Sequence, residues 1–281
     1  HMDLLPTLID LCGLQAPANV AFDGTSLVPL LGEGSPAWPQ RTLCIHHQGR
    51  FGEPVHDGLP VKYKDYCVLT DRWRLVKNEL YDTKVDPGQT HDLAAEHPAV
   101  VDRLQNAYEA WWDDVSQRFD EYCPIVVDRE KQETTVLTCQ GWHGDTIPYN
   151  QQHVRSGMQG NGYWVIDVAR EGTYEIELRR WPEELDEPLS ALVPAEPRDS
   201  GKHDVGFRLF ELPSRAIQPV TARLTVGDSA RTADVGPGDK AVSFRLHLVA
   251  GEQRIQTWLT SADGEMCGAY YVYLREVSNG T

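Results

Sequence analysis

The side chains that could do chemistry fall in a few places along the sequence. His46-His47-Gln48, with Arg50, follows a run of strand character and enters a stretch rich in glycine and proline, where side chains can project toward a neighbouring site. His56, Lys62 and Lys64 add positive charge to the same stretch. Such a set could hold an anionic or polar group, and it could equally be a solvated loop. Further on, Trp142, Tyr149 and Trp164, with His143 among them, offer aromatic faces that suit sugar rings, although the same residues suit core packing. Asp263-Gly264-Glu265 and Asp228 could place oxygens around a loop calcium, but that ion takes about six to eight oxygens, and these carboxylates are too few to specify a site.

Nucleophile and metal chemistry find little support. Cys12, Cys44, Cys67, Cys123, Cys139 and Cys267 are widely scattered, with no CxxC pair, so zinc and redox motifs are not indicated. Most sit in apolar or strand-like surroundings, where a thiol behaves as a small hydrophobe, and one disulfide remains open. The 42 acidic against 26 basic residues give a formal net charge of −16, with no Lys/Arg run. Nucleic acid is thereby disfavoured as a partner. An anionic small substrate is not, because a local cationic pocket overrides the global charge within a Debye length of roughly 8–10 Å. No run of 18 apolar residues reads as a membrane-spanning helix.

The elements that must position these residues are legible from periodicity. Leu4, Leu5, Leu8, Ile9, Leu11 and Cys12 predict a helix over 3–14 with a broad apolar face, stopped by Gly13. That helix wants a partner surface, which is expected upstream of the present sequence. A short helical turn is expected at Ser26–Leu31 within a proline-rich loop. Short runs at 42–46, 66–70, 73–76 and 80–82 read as antiparallel strands, with a hairpin turn at Asp71-Arg72 and a type II turn at Asp86-Pro87-Gly88. Val101, Leu104, Tyr108, Trp111, Trp112, Val115 and Phe119 predict a helix over 98–119 that starts at Pro98. Residues 121–135 read as a linker, and 136–281 as a second domain. Clean alternation, as in Val242, Phe244, Leu246 and Leu248, predicts roughly eight antiparallel strands there, among them 205–210, in a sandwich or jelly roll.

Three phrases of the first 120 residues resemble the C-terminal portion of the sulfatase branch of the alkaline-phosphatase superfamily. They are Asp3 to Gly13 followed by Asp23 to Leu31, then Thr70-Asp71-Arg72-Trp73-Arg74-Leu75-Val76, then Glu79-Leu80-Tyr81-Asp82 with Asp86 to Ala94. The resemblance covers about residues 3–118 and implies an α+β fold: an antiparallel sheet with a helix, belonging to an incomplete catalytic domain over 1–120, followed by the β-sandwich as an accessory domain. It also implies hydrolysis of sulfate esters by a formylglycine made from Cys or Ser in a Cys/Ser-x-Pro-x-Arg motif, beside a calcium ion.

That motif is absent from this sequence. Cys123-Pro124-Ile125 has its proline one place too early and no following arginine. The resemblance therefore implies no catalytic residue here. Calcium and formylglycine are expected in the remaining part of the parent enzyme, and the N-terminal catalytic part of the same protein is the expected partner. It also implies that His46, His47 or Arg50 contacts substrate at the mouth of the active site. A sulfated carbohydrate is the further expected partner, with Trp142, Tyr149 and Trp164 as its candidate platform. Periplasmic or extracellular placement is implied, with the cytoplasm left open. A purely structural sandwich, or a related phosphodiesterase or phosphonate hydrolase as the parent, are the alternatives.

Overall fold

The computed structural model describes residues 1–16, 18–32, 38–46, 60–144, 146–148, 150–195 and 214–277. His47, Arg50, His56, Tyr149 and the strand expected at 205–210 lie outside them. The chain divides into two compact units, residues 1–46 with 66–111, and residues 47–65 with 112–281.

In the first unit, α1 (Leu4–Leu11) ends where Gly13 takes φ +62, a conformation that a residue bearing a Cβ rarely adopts. Its N-terminus is tied down by Asp3, whose carboxylate receives the Thr25 N–H at 2.9 Å and both guanidinium arms of Arg41. The hydroxyl of Thr7, the buried residue of the helix, accepts the Leu27 N–H at 2.9 Å, which fixes the approach to α2 (Val28–Leu31). The apolar face predicted for α1 is real, yet it stays uncovered. Leu4, Leu8 and Leu11 are 59%, 55% and 56% exposed, so the helix is held by polar ties rather than by burial of its leucines.

The strands β1 (Leu43–His46), β2 (Tyr66–Leu69), β3 (Trp73–Val76) and β4 (Glu79–Asp82) form one antiparallel sheet in that order, as alternation predicts. Val68, Leu75 and Leu80 are buried on one face. The helix α3 (Pro98–Val115) buries Leu104, Tyr108 and Trp112 at four-residue spacing, and Tyr108 meets Tyr66 of β2 at 4.4 Å between ring centroids. The turn after β4 departs from type II. Its positive φ falls on Gln89 and not on Gly88, because the Asp86 carboxylate binds the Thr90 and His91 amides at 2.7 and 2.9 Å and pulls the backbone round one residue later.

The second unit is a sandwich of two sheets. One runs β10 (Ser229–Asp234), β9 (Pro219–Val226), β12 (Gly251–Ser261), β7 (Tyr163–Val168), β5 (Ile125–Val127), with β13 (Met266–Cys267) also on β12. The other runs β11 (Val242–Leu248), β8 (Gly172–Arg179), β14 (Tyr271–Glu276), β6 (Thr135–Thr138). A short helix, α4 (Gln151–Ser156), is capped by the Asn150 side chain and ends on Gly157 at φ +63. Alternate residues of both sheets interlock in one core, including Trp164, Ile166, Ile176, Leu178, Leu224, Phe244, Leu246 and Ile255. Each such side chain contributes about 1.5–3 kcal/mol on burial.

Two expectations need correction. Residues 121–135 are no simple linker, since β5 pairs with β7 and Val127 enters the core. That pairing is parallel, so the sheet is mixed, with an edge strand added from the chain entering the sandwich.

Candidate functional site

In the first unit, His46 is the last residue of β1. Its half-buried ring faces Tyr108 and Trp111 of α3, each at 6.4 Å between centroids. His47 and Arg50 lie outside the described residues, so the set His46, His47 and Arg50 is represented by His46 alone. Lys62, one of the cations expected in the same stretch, belongs to the second unit, where it stands 3.9 Å from the Asp113 carboxylate.

A cavity of about 200 Å³ in this unit is lined by Trp38, Pro39, Arg41, Leu43, Leu69, Thr70 and Asp71. Its arginine is already engaged: Arg41 binds Asp3 in a fork of 2.7 and 2.5 Å. The hydrogen bonds from Arg41 and Thr25 hold the Asp3 carboxyl down at about 2, from an ordinary 3.8. Among the described residues no activated nucleophile lines it. The Cys44 thiol is pushed up to about 11 by burial, and burial raises that of Cys67 also, so both stay protonated and unreactive at neutral pH.

In the second unit the proposed aromatic platform is dismantled. Trp142 and Trp164 are 1% and 0% exposed, and Trp164 donates its indole N–H to the Thr138 carbonyl at 2.8 Å. They pack edge to face at 5.6 Å inside the sandwich, so neither presents a ring to a ligand. Tyr149 lies outside the described residues. The loop carboxylates do not gather either. Glu265 is taken by Arg215 at 2.7 Å, and Asp263 accepts the Glu265 N–H at 3.1 Å. Among the described residues no three His, Cys, Asp or Glu side chains stand together as metal donors.

What the register does assemble is a set of aromatic and arginine pairs on the outward face of the sheet containing β12. Arg254 lies 4.7 Å from the Tyr163 ring centroid, and Arg223 lies 4.8 Å from that of Trp258. Tyr122 joins the first pair, with its hydroxyl 2.9 Å from that of Tyr163 and its ring edge-on to His143 at 4.5 Å. Of these residues sequence reasoning singled out His143 alone and missed the others. The available signal was Trp258, an indole standing where the alternation Arg254-Ile255-Gln256-Thr257-Trp258-Leu259 calls for a polar side chain.

No family model matches the sequence. Curated relatives do. The chain is 27% identical over 108 residues to arylsulfatase K of Rattus norvegicus, covering 36% of this chain and 18% of that protein. It is 22% identical over 193 residues to arylsulfatase K of Xenopus laevis, covering 64% and 32%. The likeness is to sulfatases. A third relative, a Delta 4,5-hexuronate-2-O-sulfatase of Bacteroides thetaiotaomicron, is 31% identical over 147 residues, covering 46% and 26%. This chain therefore spans between 18% and 32% of the length of the sulfatases it matches. The Xenopus match, at 64% of the chain, is longer than the first unit, so the likeness reaches beyond the stretch 3–118 that carries the motifs. Among solved structures, a carbohydrate-binding module, CBM35 from Cellvibrio japonicus Abf62, is 14% identical over 57% of this chain and 92% of that one. Its TM-score of 0.25 is too low to speak for a shared fold.

Proposed function

We propose that this chain is the C-terminal part of a sulfatase, a sulfuric ester hydrolase, in which the first unit completes the substrate pocket and the sandwich is an accessory domain. One observation carries the reading: sequence likeness to sulfatases over less than a third of their length, in a chain whose first helix exposes a row of leucines. An apolar helical face of that kind is stable in water only at a cost and fits a buried place against a larger domain. The N-terminal catalytic part of the same protein is its partner in this reading.

Catalysis then belongs to that other part. Sulfuryl transfer needs an activated nucleophile and concentrated positive charge on the sulfate oxygens. The sheet of the first unit offers the thiols of Cys44 and Cys67, kept protonated by burial, and beside it stands an arginine already neutralised by Asp3. Among the described residues no cluster of donors fits a calcium site, and the sequence holds no formylglycine precursor motif. His46, His47 and Arg50 are proposed to contact the substrate beyond its sulfate.

The test is to express the longer protein that carries this chain at its C-terminus and to assay it with 4-nitrophenyl sulfate and bis-4-nitrophenyl phosphate. The longer protein is expected to prefer the sulfate ester, while the 281-residue chain alone hydrolyses neither. Preference for the phosphodiester, or turnover by this chain alone that survives repurification, would overturn the reading.

A further inference from the structure

The outward face of the six-stranded sheet carries two arginines in an unusual state. Ile255, Thr257 and Leu259 of β12 are buried, so Arg254, Gln256 and Trp258 between them point away from the core. The register sets Gln256 opposite Tyr163 of β7 on one side and Thr225 of β9 on the other, and sets Trp258 opposite Arg223 of β9. Arg254 and Arg223 are exposed, and each guanidinium lies over an aromatic ring. Among the described residues neither has a carboxylate within 4.0 Å.

Arg170, Arg179, Arg215 and Arg275 of this unit have acidic partners, whereas the exposed Arg231 and Arg245, like Arg223 and Arg254, have none within 4.0 Å among the described residues. What sets Arg223 and Arg254 apart is the aromatic ring beneath each guanidinium. Two exposed arginines that each lie over an aromatic ring, with no carboxylate taking their N–H groups, make this sheet face distinctive in a chain with 42 acidic residues. An aromatic ring under a guanidinium holds it flat without consuming its N–H groups, so the edge donors stay free for a planar or tetrahedral oxyanion. Because the side chain is already ordered, less rotamer entropy is lost when an anion binds. The two stacks are four residues apart along β12, or about 13 Å. Between them, Gln256 and Thr225 offer hydroxyl and amide groups to a polar ligand. One sulfate cannot bridge such a distance, but an oligosaccharide carrying more than one can.

We propose that this face, through Arg223 and Arg254 seated on Trp258 and Tyr163, binds a sulfated oligosaccharide. The choice of sulfate rests on the sulfatase reading; the existence of an anion-binding face does not. The net charge of −16 repels polyanions at long range, so recognition acts locally, within a Debye length of about 8 Å. Single-stranded nucleic acid also pairs arginine with aromatic rings and is therefore the competitor that the test must include.

The 281-residue chain is titrated by calorimetry with a size-defined heparin hexasaccharide, with its desulfated counterpart, and with a short oligothymidylate. The sulfated hexasaccharide is expected to bind, and the other two to bind at least about tenfold more weakly. Arg223→Gln and Arg254→Gln should each weaken binding about fivefold or more, and together bring it to background, since each removes a charge-assisted contact. Arg254→Lys keeps the charge but loses the flat seat, and should fall between. Both positions being exposed, the melting temperature should not move. Absence of binding by the wild-type chain, full binding by the double variant, or equal affinity for the oligothymidylate would each overturn the proposal. None of these outcomes touches the hydrolase assay on the longer protein, so a failure here is separable from a failure of the sulfatase reading.

Discussion

Gly268 passes Trp142 so closely that a Cβ on the glycine would stand 2.5 Å from the indole Cζ2. Gly162 crowds the other side, where a Cβ would meet the Cβ of Trp142 at 2.6 Å. The indole is thus wedged between two backbone segments, which is why a tryptophan that looked available for sugar stacking is a core residue. Gly268→Ala is expected to cost about 1–3 kcal/mol, because a ring buried on all sides cannot swing away. Gly238→Ala, with nothing within 4 Å of the added methyl, is the control and should change stability by less than about 0.5 kcal/mol. Urea unfolding of the two variants decides it, and equal midpoints would show that Trp142 has room to move.

The fork between Arg41 and Asp3 gives the first unit a defined response to acid. The folded-state pKa of Asp3, about 2, lies below its ordinary value of 3.8. The stabilisation is therefore complete above about 3.8 and is lost as pH falls through about 2. Both partners are partly exposed, so the contribution is about 1 kcal/mol after screening, less than the full shift would imply. Asp3→Asn should lower stability by that amount at neutral pH, and the gap to wild type should close on acidification to about 2. A gap that is constant with pH would mean that Asp3 acts through its hydrogen bonds alone.

Strands with one wet and one dry face were legible in the sequence; those without that contrast were not. In β11, Val242, Phe244, Leu246 and Leu248 alternate with polar residues and bury as expected. In β10, by contrast, Ser229 to Asp234 holds two alanines among polar residues, because it is an edge strand with little to bury. The strand β5 escaped for a related reason: three apolar residues in a polar stretch carry no periodicity, and their parallel partner lies far along the chain. The arginine seats were hidden more deeply. Arg223 meets Trp258 only because β9 and β12 pair in one register, and no local pattern encodes that register.

The leucines of α1 make a prediction with two signs. In this chain Leu4, Leu8 and Leu11 are exposed, so replacing all three with Gln should leave the melting temperature nearly unchanged and reduce self-association in sedimentation velocity. In the longer protein proposed to carry this chain the same residues are proposed to be buried, where each loss costs about 2–5 kcal/mol. There the triple variant should lower both stability and hydrolytic activity. A longer protein indifferent to the substitutions would leave the apolar face without its proposed partner.

Arg180 is fully buried beside Trp181, its guanidinium 4.4 Å from the ring centroid, and it is solvated by backbone carbonyls instead of an acid. Its N–H groups reach the carbonyl oxygens of Leu189, Val154 and Arg155 at 3.4, 3.4 and 3.2 Å, and also that of Arg215. Burial pulls its pKa down to about 10, so it remains charged at neutral pH and pays a desolvation penalty for doing so. Two terms compete on replacement by Met. Removing the charge relieves that penalty, while the four carbonyls lose a donor in a place water does not reach. The Val154 and Arg155 oxygens keep second donors, from Gly157 and Arg215, so the loss concentrates on Leu189 and Arg215. Each orphaned carbonyl costs about 1–3 kcal/mol, and Arg180→Met is therefore expected to destabilise by about 2–4 kcal/mol net. Because these carbonyls belong to the segments around α4, Leu189 and Arg215, hydrogen exchange should quicken there before it does in β8 or β12. Uniform quickening across both sheets would instead place Arg180 at the centre of the whole sandwich, and unchanged exchange would mean that the hydrocarbon stem, not the charge, is what the core requires.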